Sequence, residues 1–166
     1  MSSKTATQKV VYPGSFDPIT YGHLDIIERL VQRYDEVVLL ISTSSQKKYI
    51  FDLDQRKKLA EKICGKYKNL RIESWDGLLV DYLKKNKITV LAKGLRNSRD
   101  FEYEMTMDHT NKTLYPDIET VYLISRPEFS FISSTLVKEI ASLDGDLSKF
   151  VPTEILKAFK NKKRQS

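Results

Sequence analysis

The chain has 166 residues, of which 40% are hydrophobic and 30% charged, with a formal net charge of +6. That length and balance fit one soluble globular domain with a sizeable core. No apolar run approaches a membrane span, and the lone cysteine, Cys64, excludes an intrachain disulfide.

The start, Met1 to Gln8, is polar and shows no apolar signal region. Together with the single cysteine, this leads us to expect a cytoplasmic protein. The charge is unevenly spread: Lys157, Lys160, Lys162, Lys163 and Arg164 lie in a run, residues 155–166, that holds no acid. The rest of the chain is close to neutral. The basic run therefore reads as a solvated tail rather than as a nucleic-acid-binding face.

Val10, Val11 and Tyr12 read as a short buried strand, stopped by Pro13-Gly14. Leu24, Ile27, Leu30, Val31 and Tyr34 then recur at helical spacing, which puts His23 in the first turn of a helix. A helix N-terminus with its unpaired N–H groups is a ready anion site. Glu36 to Thr43 is a near-continuous apolar run, as in a strand covered on both faces. Ser44 to Phe51 is a polar, basic loop. Asp52 caps a helix from Leu53 that Gly65 stops. Leu70 to Ser74 is a third strand, Asp76 or Gly77 opens a helix to about Asn86, and Thr89 to Ala92 is a fourth strand. Ser98 begins a longer helix, roughly to Leu114, ended by Pro116. Thr120 to Ile124 is a fifth strand, and Ser133 or Ser134 caps a helix to about Leu143. Thr153 with Glu154 starts a final short helix. Residues 1–8 and 161–166 are expected to be flexible ends.

The alternation predicts an α/β fold: a single-domain, Rossmann-like, five-stranded parallel sheet with helices on both faces. Ligands in such sheets bind beyond the carboxyl ends of the strands. Functional residues should therefore collect in the loops after Tyr12, Thr43, Ser74, Ala92 and Ile124.

Those loops carry distinctive groups. Lys47 and Lys48 follow the second strand; as a pair they are ordinary solvated lysines, but at a ligand end one of them suits a phosphate. Lys93-Gly94-Leu95-Arg96 puts two cations around a glycine, the makings of an oxyanion clamp or else a surface charge pair. Glu102 and Glu104 cannot share a helix face, so at most one points at the site. Ser130 to Thr135 brings hydroxyls to a helix start, as phosphate donors or as an N-cap and nothing more. His109, mid-helix, reads as structural or exposed. No Cys/His spacing suits zinc, and neither a P-loop nor a Gly-x-Gly-x-x-Gly fingerprint occurs.

Gly14-Ser15-Phe16-Asp17-Pro18 followed by Thr20-Tyr21-Gly22-His23 resembles the first signature of the nucleotidyltransferase superfamily. Ile132-Ser133-Ser134-Thr135 resembles its second. Asp100-Phe101-Glu102-Tyr103-Glu104-Met105 and Phe129-Ser130-Phe131-Ile132-Ser133-Ser134 are similar, more specifically, to the bacterial phosphopantetheine adenylyltransferase family. The likeness runs from about Lys9 to Lys160.

The resemblance implies the nucleotidyltransferase fold and adenylyl transfer from ATP to 4′-phosphopantetheine, with magnesium. It implies that Ser15 contacts both substrates, Phe16 contacts ATP through its backbone, and His23 sits beside the reacting phosphates. Lys47 would hold the acceptor phosphate and Leu79 line the pantetheine path. Gly94, Leu95, Arg96, Glu104 and Phe129, Ser130, Phe131, Ile132, Ser133, Ser134 and Thr135 would hold ATP. Lys93 stands where the family usually has an acceptor-facing arginine; lysine keeps the charge but cannot grip bidentately. Phe129 stands where some members have tryptophan. A homohexamer and no protein metal ligand are further family expectations, with magnesium bridging triphosphate oxygens.

The acceptor phosphate is anionic near neutral pH, so the reaction needs neither a general base nor a covalent intermediate. Catalysis by positioning and electrostatics is expected. His23 stabilises charge on the α-phosphate, Lys47 aligns the acceptor, and Arg96 draws the leaving pyrophosphate. Alternatives are a nucleotidyltransferase using nicotinate mononucleotide or glycerol phosphate, a nucleotide-binding module without turnover, and a nucleic-acid binder using the basic run.

Overall fold

Side chains alternate across a strand, and the first two strands use both sides. In β1 (Lys9–Gly14), Val10 and Tyr12 join one core cluster and Val11 the other. In β2 (Glu36–Ser42), Val37, Leu39 and Ile41 face the first and Val38 and Leu40 the second. A strand apolar on both faces must be covered on both faces, and helices do this. The structure, a computed structural model, describes residues 7–44 and 47–164. The expected flexible stretches at 1–6 and 165–166 lie outside the described residues.

The remaining elements follow in order: α1 (Tyr21–Val31), α2 (Leu53–Cys64), β3 (Leu70–Trp75), α3 (Leu79–Lys85), β4 (Val90–Leu95), α4 (Ser98–Leu114), β5 (Glu119–Ile124), a 3-10 turn at Pro127–Phe129, α5 (Ser134–Ser142) and α6 (Thr153–Lys163). The five described strands form one parallel sheet in the order β3-β2-β1-β4-β5. Ile26, Ile27 and Leu30 of α1, Ala60 of α2, Val137 of α5 and Ile155 and Phe159 of α6 cover one face. Val80, Tyr82 and Leu83 of α3 cover the other. Each such fully buried aliphatic or aromatic side chain contributes about 1.5–3 kcal/mol by leaving water.

Strand order reverses beside β1. The chain runs out through β2 and β3, then returns to β4 on the opposite side of β1. β1 and β2 are in register over Lys9 to Gly14, whereas β1 and β4 are registered at Val11 opposite Leu91. Loops leaving β1 and β4 therefore diverge and open a crevice, the place where ligands bind in sheets of this kind.

Four boundaries differ from the sequence reading by more than one residue. β1 is not stopped by Pro13-Gly14 but runs to Gly14, because both residues stay paired with β2, opposite Leu40 and Ile41. β4 runs to Leu95, so Lys93 and Gly94 lie in a strand rather than in a loop; pairing with β5 through Leu95 opposite Ile124 prolongs it. α3 starts at Leu79, because the Trp75 indole N–H donates to the Leu78 carbonyl and holds residues 75–78 in a turn. Asn161 to Lys163 continue α6 rather than forming a loose end. Phe159, 8% exposed, packs edge-on against Phe51 at 5.3 Å, and Lys163 pairs with Asp144. The basic run is thus the outer face of a docked helix.

Candidate active site

The turn between β1 and α1 is fixed almost atom by atom. Phe16 adopts a left-handed backbone (φ 46°) and folds its ring over Gly14. A Cβ on Gly14 would stand 2.9 Å from that ring, so any larger residue there would force the ring to shift. Thr20 caps α1, with its hydroxyl accepting from the His23 N–H. In return the His23 Nδ1 accepts from the Thr20 N–H at 3.0 Å. A backbone N–H can only donate, so the neutral ring carries its proton on Nε2. Burial, reinforced by Arg96 and Lys47, lowers the His23 pKa from its ordinary value to about 4. At neutral pH this histidine is therefore an uncharged donor.

The loop between β2 and α2 is fastened to that turn. Asp17, 1% exposed, accepts from the Ile50 and Phe51 N–H groups, both at 2.9 Å. Arg56, 2% exposed, donates to the carbonyls of Ser15 (2.6 Å), Ser42 (2.9 Å) and Phe51 (3.2 Å) and stacks on the Tyr49 ring. Lys138, from α5, lies 3.5 Å from Asp17 and donates to the Lys48 carbonyl at 3.4 Å. Lys47 itself is exposed and makes no ion pair among the described residues.

At the end of β4, Lys93 pairs with Glu104 at 2.8 Å. Glu104 lines the cavity and Glu102 is exposed elsewhere, as their helical spacing requires. Asp100 grips Arg96 bidentately, taking Nε at 2.9 Å and Nη2 at 3.1 Å, and also accepts the Arg96 N–H. Nη1 is left without a protein partner among the described residues. The α5 start uses two of its hydroxyls structurally. Ser133 caps the helix by accepting from the Leu136 N–H, and Ser134 donates to the Pro18 carbonyl at 2.8 Å. The N-termini of α1 and α5 are thereby tied at one point.

These elements surround one cavity of about 720 Å³. Ser15, Phe16, His23, Lys47, Lys93, Gly94, Arg96, Glu104, Ser130, Phe131, Ser133, Ser134 and Thr135 all line it. Leu79 lines an adjoining cavity of about 220 Å³ that shares Ser15, Lys47, Lys93 and Glu104 with the first. Leu95 and Ile132 are buried in the fold, and Phe129 is partly buried outside the lining. His109 is exposed on α4. Sequence reasoning missed Tyr12, Asp17, Asn97 and Lys138 as lining residues. For Lys138 a signal existed, since it lies four residues after Ser134 on the same helix face.

The walls are rich in cations, and their acids are already engaged: Asp17 by two N–H groups and Lys138, Glu104 by Lys93. The lining offers uncharged and cationic donors around a space large enough for two small molecules, with no activated nucleophile. Such a set of donors suits the holding of phosphates in place.

The cytidylyltransferase-like family model matches residues 11–140. A phosphopantetheine adenylyltransferase of Bdellovibrio bacteriovorus is 49% identical over 155 residues, covering 93% of this chain and 97% of the relative. One from Thermosynechococcus vestitus is 50% identical over 147 residues, covering 89% and 88%. One from Thermotoga neapolitana is 47% identical over 155 residues, covering 93% and 96%. With a cation-lined cavity at the β1–β4 switch and likeness along nearly its whole length, the chain belongs to the cytidylyltransferase-like family and, within it, to the phosphopantetheine adenylyltransferases.

Proposed function

We propose that the protein transfers the adenylyl group of ATP to 4′-phosphopantetheine, giving dephospho-coenzyme A and pyrophosphate. The observation that carries this is the convergence of His23, Lys47 and Arg96 on one cavity at the crevice between β1 and β4. The family of the chain supports the same reading.

In this reaction an acceptor phosphate oxygen bonds to the α-phosphorus as its bond to the bridging oxygen of pyrophosphate breaks. Lys47 attracts the acceptor phosphate and brings it into line. His23 donates its Nε2 proton as a hydrogen bond to the α-phosphate, where charge gathers in the transition state. Arg96, oriented by Asp100, offers Nη1 to the leaving pyrophosphate. Backbone N–H groups at the α5 start add further donors. No proton need be abstracted, which agrees with a histidine whose basic Nδ1 is engaged by the Thr20 N–H and with lining carboxylates that, among the described residues, are already paired.

Among the described residues no group of three or more His, Cys, Asp or Glu side chains is placed to hold a metal ion. Magnesium fits this site as part of the MgATP substrate, neutralising triphosphate oxygens. We extend the proposal to a homohexamer in the cytoplasm. Exposed Phe101, Tyr103, Met105, Met107 and Leu114 on α4 support assembly. Light scattering should return six times the 19.3 kDa of one chain; a monomer mass contradicts it. Among the described residues no helix is long and apolar enough to cross a membrane.

The test is incubation of the purified protein with ATP, magnesium and 4′-phosphopantetheine, with mass detection of dephospho-coenzyme A. Nicotinate mononucleotide and glycerol phosphate serve as competing acceptors. Product from phosphopantetheine alone is expected; product from another acceptor instead overturns the assignment.

A further inference from the structure

Tyr12, near the end of β1, belongs to the core in its ring and to the cavity in its hydroxyl. The residue is 6% exposed. Its ring meets Phe16 edge-on at 5.4 Å, and Phe16 meets His23 in the same way at 5.0 Å. The phenolic oxygen has no hydrogen-bond partner among the described residues, and it is not sealed from the cavity that Tyr12 lines. Gly94 makes room for it: a Cβ there would stand 3.2 Å from the oxygen.

Two other tyrosines packed into this fold have their hydroxyls satisfied by carboxylates. Tyr67 donates to Glu28 at 2.8 Å and Tyr82 to Glu73 at 2.7 Å. A phenol that faces a cavity with no protein acceptor keeps its donor available to whatever fills that cavity. Phenylalanine would fill the same space without offering that donor. Burial also raises the Tyr12 pKa far above its ordinary value, so the hydroxyl keeps its proton and can only be offered as a neutral group. Arg96 and Glu104 are the charged groups that weigh most on it.

We propose that the Tyr12 hydroxyl is a further nucleotide-binding group of this cavity, donating a hydrogen bond to a phosphate oxygen of bound ATP beside Arg96 and His23. The inference rests on the reading of the cavity as an ATP site. It makes the missing partner of the phenol the substrate itself. It also gives the row Tyr12–Phe16–His23 one task, since a single packed stack then fixes two donors at once.

The experiment compares wild type, Tyr12→Phe and Tyr67→Phe as full chains. ATP affinity is measured by calorimetry, melting temperature by scanning fluorimetry and product by the dephospho-coenzyme A assay. Tyr12→Phe should weaken ATP binding roughly tenfold, the worth of one hydrogen bond to a charged group, with a melting temperature unchanged or raised. Tyr67→Phe should lower the melting temperature and leave ATP binding unchanged. Wild-type ATP affinity in Tyr12→Phe overturns the proposal. Weaker binding accompanied by a drop in melting temperature like that of Tyr67→Phe also overturns it, since the hydroxyl is then structural. A wild type that binds ATP but forms no dephospho-coenzyme A contradicts the functional reading, while the affinity comparison still decides the phenol. A wild type that binds no ATP overturns both.

Discussion

The turn after β1 and the loop after β2 both line the cavity, and they are built on opposite plans. In the first, three groups are held by protein partners: His23 by Thr20, the Ser15 carbonyl by Arg56, Asp17 by two N–H groups. In the second, the backbone is tethered at Ile50 and Phe51, but the Lys47 ammonium is exposed and, among the described residues, makes no ion pair. Preorganised donors act where charge develops in a transition state, because nothing need reorganise when it forms. An unpaired surface cation acts instead on encounter and binding. The turn should therefore govern turnover, and the loop acceptor affinity.

The sharpest way to break this contrast is to exchange the two effects. His23→Ala should lower kcat by roughly two to three orders of magnitude with little change in ATP affinity. Unchanged turnover removes the imidazole from the mechanism. Lys47→Ala should raise KM for the acceptor by roughly ten- to a hundredfold, as expected for losing one contact to a charged group. If kcat fell instead, with KM held, the two regions would not divide the work as described.

Asp17 joins the regions, and its loss should reach the acceptor through the loop it tethers. Asparagine has one acceptor oxygen where two N–H groups need one each. Asp17→Asn should cost about 1–3 kcal/mol of stability in chemical denaturation, and loosen the loop enough to raise acceptor KM. Full stability would mean that the tether holds nothing. A smaller effect concerns pH. The folded pKa of His23 lies near 4, below its ordinary value, so the unfolded chain takes up a proton that the folded one refuses. This group should leave stability untouched above about pH 6.5, and erode it as pH falls from there towards 4. Nuclear magnetic resonance of the imidazole should give a midpoint near 4 in the free protein; a midpoint at the ordinary value contradicts the neutral-donor role. The smallest effect is expected at the outer face of α6. Replacing Lys157 and Lys160 with Gln should leave activity unchanged, whereas truncation before Phe159 should unfold the chain by opening the core.

Much of this architecture was legible in the residues. The α4 limits follow from Ser98 and Pro116, the α2 cap from Asp52, and the two-faced burial of β2 from its unbroken apolar run. β4 was harder, because a strand that carries Lys93 and Gly94 towards a ligand has no apolar pattern to mark its end. α6 misled for a related reason: its charged face dominates the composition, while Ile155 and Phe159, four apart, carry the packing.

The site was legible in part. His23, Lys47 and Arg96 lie where strand ends and helix starts are recognisable. Asp17, Arg56 and Lys138 act through partners 33 to 121 positions away, a relation visible only once the chain is folded. Tyr12 was hidden differently, since a tyrosine in a strand looks like core until its oxygen is found without a partner.

The central claim is spatial, and a structure of the protein with ATP and 4′-phosphopantetheine bound tests it most directly. The account predicts phosphate density within hydrogen-bonding reach of His23 Nε2, Lys47 Nζ and Arg96 Nη1 in one cavity. Phosphates bound elsewhere, with those three groups touching neither substrate, would contradict it.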